Sequence, residues 1–187
     1  TILVTTGWNK NDDVFESLEV WVARHTPEHK PFNYEHDCAQ IIGHILSDWV
    51  MDDSGKTISD DSPADELPDR FHVGTGAVLY KFWEKPELQE RMDNLLAEIA
   101  KGEWFVSMEC LFKGFDYALQ GRDGSHRTVA RNEQTAFLSK HLRAYGGTGR
   151  YGEYRVGRLL RNIVFSGKGL VRKPANPDSV ILKTEPF

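Results

Sequence analysis

Strand-like apolar runs outnumber helical ones along this chain, and they do not alternate regularly with helices. That imbalance constrains the fold more than any other sequence feature. Leu18–Arg24 alternates with period two and predicts a strand. Cys38–Met51 carries β-branched and aromatic residues around Gly43 and predicts one or two core strands. Phe71–Trp83 predicts another. Trp104–Phe112 follows as a strand, with a shorter one, Phe115–Leu119, beyond Gly114. Leu159–Val171 predicts a last buried strand pair, and Pro174–Pro177 turns the chain toward Val180–Leu182.

Helical signals are few. Pro86 suits a first helical turn, Leu88, Met92, Leu95, Leu96 and Ile99 form one stripe, and Gly102 ends the segment. Asn132 is a possible cap for a second helix reaching Ala144. Asp52–Asp69 and Gln120–Arg131 read as surface loops, and Gly146–Gly149 as a flexible connection. The last lacks the Lys-Ser/Thr ending of a phosphate-binding loop. Many strands with two or three helices predict an α+β fold, a mostly antiparallel β-barrel surrounded by helices. No repeat or linker divides residues 1–187, so a single domain is expected.

The 187 residues are 40% hydrophobic and 27% charged, enough for a substantial core. No apolar run approaches the length of a transmembrane helix, so no membrane partner is expected. The net charge of −5 argues against a protein built to coat nucleic acid, although basic residues gather late, from Arg143 to Lys173. Cys38 and Cys110 stand alone and suit a reducing compartment rather than a disulfide framework. Thr1 opens the chain without a Met or a signal-type segment, which reads as a trimmed or processed chain. His25, His29, His44, His72 and His141 show no metal-type spacing, so no metal site is expected.

Two segments carry chemistry. Phe105-Val106-Ser107-Met108-Glu109-Cys110 places a hydroxyl within an apolar strand-like run. Asn33-Tyr34-Glu35-His36-Asp37 places an imidazole at the mouth of another. A hydroxyl becomes a useful nucleophile when an adjacent base takes its proton, and neutral imidazole is the usual base. A small buried serine and a surface histidine are the plain alternatives.

Four stretches together resemble the prohead (capsid maturation) proteases of tailed phages, distant relatives of the herpesvirus assemblins. They are Glu19–Pro27 leading into Lys30–Asn33; His36-Asp37 with Ile41–His44; Trp104–Phe112; and Phe165–Val171 through Pro174–Pro177. The likeness runs from about residue 18 to 181. It implies an assemblin-like barrel wrapped by helices, with Ser107 as nucleophile and His36 as general base. It implies a serine endopeptidase without cofactor that cuts phage scaffold or core proteins, the major capsid protein and itself. Cleavage would often follow a Glu preceded by an apolar position. Its place would be the prohead interior in the host cytoplasm, as a homodimer or larger homo-oligomer. A catalytically silent capsid- or scaffold-binding component on the same fold is the alternative.

The third catalytic member stays open at this level. Assemblins use a second histidine, which points to His126. Asp37 adjoins His36, and Glu109 shares a strand face with Ser107. Asn162, or a dyad alone, also remains. For the oxyanion, the resemblance points to a late segment, where Arg172, Arg161 and the amides of Gly167 and Gly169 are candidates.

Overall fold

The structure, a computed structural model, describes residues 1–182. Its framework is an 11-stranded sheet. Two long strands dominate: β8 (Phe105–Gln120) and β11 (Tyr154–Val171). They run antiparallel in register from Arg155 opposite Gln120 to Val171 opposite Phe105. On its other side β11 pairs in parallel with β3 (Asp13–Phe15) and β4 (Pro31–Tyr34). From β4 the sheet continues antiparallel through β5 (Asp37–Met51) and β7 (His72–Leu79) to β1 (Ile2–Thr5). Strand β1 comes back beside β8, so the sheet is nearly closed into a barrel. Short strands β2 (Gly7–Trp8), β6 (Thr57–Ile58), β9 (His126–Val129) and β10 (Arg150–Tyr151) extend it as hairpin partners. Most pairings are antiparallel and few helices accompany them, an α+β barrel-like architecture.

Closing a sheet requires curvature, and β-bulges supply it. In β11 the register steps from Phe165 opposite Cys110 to Gly167 opposite Glu109, leaving Ser166 as the extra residue. Side chains alternate along a strand, so one extra residue exchanges the faces. Before the bulge Ile163 and Phe165 are buried; after it Lys168 and Leu170 are. Gly167 and Gly169 then share a face with Glu109 and Ser107.

The helix α2 (Pro86–Ala100) forms where its apolar stripe predicts. It buries Met92, Leu95 and Ile99 against Phe32, Ile42, Trp104, Val106 and Leu170. The strand expected at Leu18–Arg24 is instead a helix, α1 (Ser17–Ala23). The alternation misleads because Val22 is 73% exposed. The buried set is Val20, Trp21 and Ala23, a helical spacing that packs on the main core with Phe71 and Phe165.

Other expectations shift in detail. Strand β8 runs straight through Gly114 rather than stopping there, because Gly114 holds its place opposite Arg161. The expected pair within Leu159–Val171 is likewise one strand, β11. The helix expected from Asn132 is shorter and tighter, with 3₁₀ turns at Ala136–His141 and Arg143–Tyr145. Only Leu138 and Leu142 of that stretch are buried, too little apolar face for a longer helix. The two expected loops hold short elements, β6 with a 3₁₀ turn at Ala64–Glu66 in one and β9 in the other. Among the described residues no helix is long and apolar enough to cross a membrane.

Candidate active site

Glu35 and His36 form a two-residue loop between β4 and β5, closed by Tyr34 opposite Asp37. Both have positive φ, 54° and 63°. A tight hairpin of this kind favours such angles, but Asn and Gly are the residues that normally adopt them. Here a glutamate and a histidine do so, at a cost of roughly 1 kcal/mol or more each. Two hydrogen bonds hold the strained turn. The Glu35 N–H donates to the Leu170 carbonyl at 3.0 Å. His36 Nδ1 lies 2.9 Å from Glu109 Oε1.

The turn therefore swings His36 over β11 toward β8. Ser107 and Glu109, two apart on β8, stand opposite Gly169 and Gly167. A side chain on Gly169 would sit 2.9 Å from His36 Nδ1 and 3.0 Å from Asn33 Oδ1. One on Gly167 would sit 2.9 Å from Glu109 Oε2 and from the Pro31 carbonyl. Both glycines thus provide room, and the imidazole and carboxylate occupy it. We expect Gly169→Ala to fold while losing about 100-fold in any His36-dependent reaction, because misplacing a catalytic group by about 1 Å has that effect. Comparing melting temperature and rate for the variant checks this; an unchanged rate would contradict the geometry.

Asn33 is buried and donates from Nδ2 to Glu109 Oε1 at 2.7 Å. One carboxylate oxygen thus takes two donors, Asn33 and His36. These hydrogen bonds, His36 first, hold the Glu109 carboxyl below its ordinary value against the opposing effect of burial. An ionised Glu109 can only accept, so Nδ1 of His36 carries the hydrogen and Nε2 of the neutral ring is free to act as a base. No sequence signal marked Asn33 for this role.

A cavity of about 270 Å³ is lined by His36, Ser107 and Met108, with Thr5, Asn176 and Arg158 around it. Cys110 also borders it, but burial pushes its thiol up to about 11, which keeps it an inert thiol. A larger cavity of about 370 Å³ lies along α2, between Glu90, Arg91, Tyr34 and Trp104, and holds neither Ser107 nor His36.

The remaining candidates lie elsewhere. His126 is exposed on β9 opposite Gln120, at the other end of β8 from Ser107. Asp37 turns back on its own segment, accepting from the Ala39 N–H at 2.9 Å and Gln40 Nε2 at 2.6 Å. Asn162 sits on β11 with its N–H bonded to Glu19 of α1 at 2.8 Å. Arg161 is paired with Asp116 at 2.9 Å and with Glu16. Arg172 is paired with Glu98 at 2.6 Å and Glu103 at 3.3 Å while stacking on Trp104. Each arginine is already paired with at least two carboxylates, Arg161 also meeting Glu19 at 3.6 Å. Of the late-segment candidates, only Gly167 and Gly169 adjoin Ser107, Glu109 and His36. No group of described residues has the makings of a metal site.

No protein-family model matches the chain, and no curated protein and no solved structure matches it.

Proposed function

We propose that this protein is a serine endopeptidase of the prohead-protease type, with Ser107 as nucleophile, His36 as general base and Glu109 as the residue that orients and balances the base. The observation that carries this reading is the 2.9 Å His36–Glu109 contact on the cavity that Ser107 also lines. A hydroxyl, an imidazole and a carboxylate in this order make up the logic of serine catalysis. The third member differs from the histidine of the assemblins, and an acid fills the role equally well.

In the reaction, Ser107 Oγ attacks the scissile carbonyl carbon while its proton passes to His36 Nε2. The C–N bond breaks as Nε2 returns that proton to the leaving amine, giving an acyl-enzyme. Water then attacks the ester, again losing its proton to Nε2, and Ser107 leaves with that proton. Growing positive charge on His36 faces the Glu109 carboxylate throughout. In the sequence resemblance the substrates are scaffold or core proteins, the major capsid protein and the enzyme itself, within the prohead. Arg158 supplies a cation in the cavity for an acidic substrate side chain, although Asp13 at 2.7 Å already balances part of its charge.

The test is mass spectrometry after treatment with an alkyl fluorophosphonate. Ser107 is expected to gain the phosphonyl group with loss of fluoride, and Ser107→Ala to gain none. His36→Ala is expected to label at least about 100-fold more slowly. Equal labelling of wild type and Ser107→Ala would reject the assignment.

A further inference from the structure

The cavity lined by Ser107 is also lined by Thr5, which heads a second hydroxyl–imidazole–carboxylate series. Thr5 Oγ1 of β1 lies 2.8 Å from His72 Nδ1 of β7. His72 Nε2 lies 2.9 Å from Asp53 Oδ1, in the turn joining β5 to β6. Thr5 and His72 are both buried, and Thr5 and Asn176 line the cavity. Asp53 in turn meets Arg70 at 3.4 Å.

With Asp53 ionised and His72 neutral, the donors and acceptors follow from side-chain chemistry. An ionised Asp53 only accepts, so Nε2 of His72 carries its hydrogen. In the neutral ring Nδ1 is then bare and accepts the single hydroxyl hydrogen of Thr5. Asn176 Nδ2 donates to the same Thr5 oxygen at 3.3 Å. The hydroxyl has no hydrogen left for the cavity and presents a lone pair. It is built to receive a donor.

We propose that Thr5 is a substrate-binding residue whose oxygen accepts a hydrogen bond from a backbone N–H of an extended peptide lying in this cavity, with His72 and Asp53 as positioning residues that keep it an acceptor. The inference rests on the reading that the Ser107 cavity takes a peptide. It identifies the ligand by chemistry, a peptide N–H, and gives it a fixed point in the cavity that the nucleophile also lines.

The test uses N-acetyl-trialanine N-methylamide titrated into the full chain carrying Ser107→Ala, followed by NMR chemical shifts. Saturable binding is expected, with dissociation constants about five-fold higher when Thr5→Val is added and restored within about two-fold by Thr5→Ser. Equal affinity for the Thr5→Val protein, or no saturable binding to the Ser107→Ala parent, would overturn the proposal. Should Thr5→Val fail to fold, ¹⁵N shifts of His72 in the parent decide. A protonated Nε2 with bare Nδ1 is expected, and a protonated Nδ1 with bare Nε2 would overturn it. Fluorophosphonate treatment of the wild-type chain separates the two readings. Absent labelling beside Thr5-dependent peptide binding would end the hydrolase reading and uphold this one.

Discussion

Glu109→Gln is expected to slow acylation of Ser107 by about 10²–10⁴-fold while leaving the fold intact. Asn33 Nδ2 and His36 Nδ1 converge on one oxygen, Oε1, at 2.7 and 2.9 Å. A glutamine can keep an oxygen at that point and satisfy both donors. What it lacks is the negative charge that, in the proposed reaction, balances the imidazolium formed as Ser107 loses its proton. The loss is therefore electrostatic and should be seen in the acylation rate with little change in melting temperature. Because hydrogen bonding holds the Glu109 carboxyl below its ordinary value, the wild-type carboxylate stays charged into mildly acidic solution. Measuring acylation rates of both proteins from pH 5 to 8 checks this. A Glu109→Gln protein acylated as fast as wild type would remove Glu109 from the mechanism.

Lys168→Met is expected to stabilise the protein at pH 7, and the gain should shrink as pH rises. Lys168 is fully buried inside the barrel. Among the described residues its Nζ bonds only to hydroxyls, Thr1 Oγ1 and Thr75 Oγ1, each at 3.0 Å, and it lies over the Phe32 ring. No carboxylate is within ion-pair distance among the described residues. Burial therefore pulls the ammonium down to about 7 from 10.5. The sign follows from proton binding. Between about pH 7 and 10.5 the unfolded chain holds the proton and the folded chain has released it, so folding stability rises with pH across that window. The shift corresponds to roughly 5 kcal/mol as a ceiling on the cost of the charged form near pH 7. Methionine matches the length, carries no charge, and leaves Thr1 Oγ1 and Thr75 Oγ1 bonded to each other at 2.9 Å. Urea unfolding from pH 6 to 10 should show a rising curve for wild type and a flatter one for Lys168→Met. Parallel curves would mean that Lys168 is not buried as a strained cation.

Much of the framework was legible because it follows from local repetition. The α2 stripe repeats every three to four residues and begins at a proline, so tertiary context had little to change. The strand expected at Trp104–Phe112 showed itself through its apolar and aromatic residues around Ser107 and Glu109. Its period of two also placed Ser107 and Glu109 on one face. The misreading of Leu18–Arg24 has a specific cause. Exposed Val22 completes an alternation that burial of Val20, Trp21 and Ala23 does not respect. A seven-residue helix is too short for its own periodicity to speak against it.

The candidate site divides the same way. The chain by itself determined which residues could act, a hydroxyl, an imidazole and nearby carboxylates, since side-chain chemistry belongs to residue type. It also determined the pairing of Ser107 with Glu109 on one strand face, since alternation is a local property. Only the tertiary structure decided that Glu109, rather than His126 or Asp37, meets His36. That choice depends on a tight local hairpin that holds Glu35 and His36 at positive φ, and on two long-range facts: the parallel register of β4 on β11, and a bulge at Ser166 that brings Gly167 and Gly169 beneath the imidazole and carboxylate. The last two are matters of register between distant segments. A shift of one residue in either of them would turn these side chains to the other face, and no local pattern in the chain specifies it.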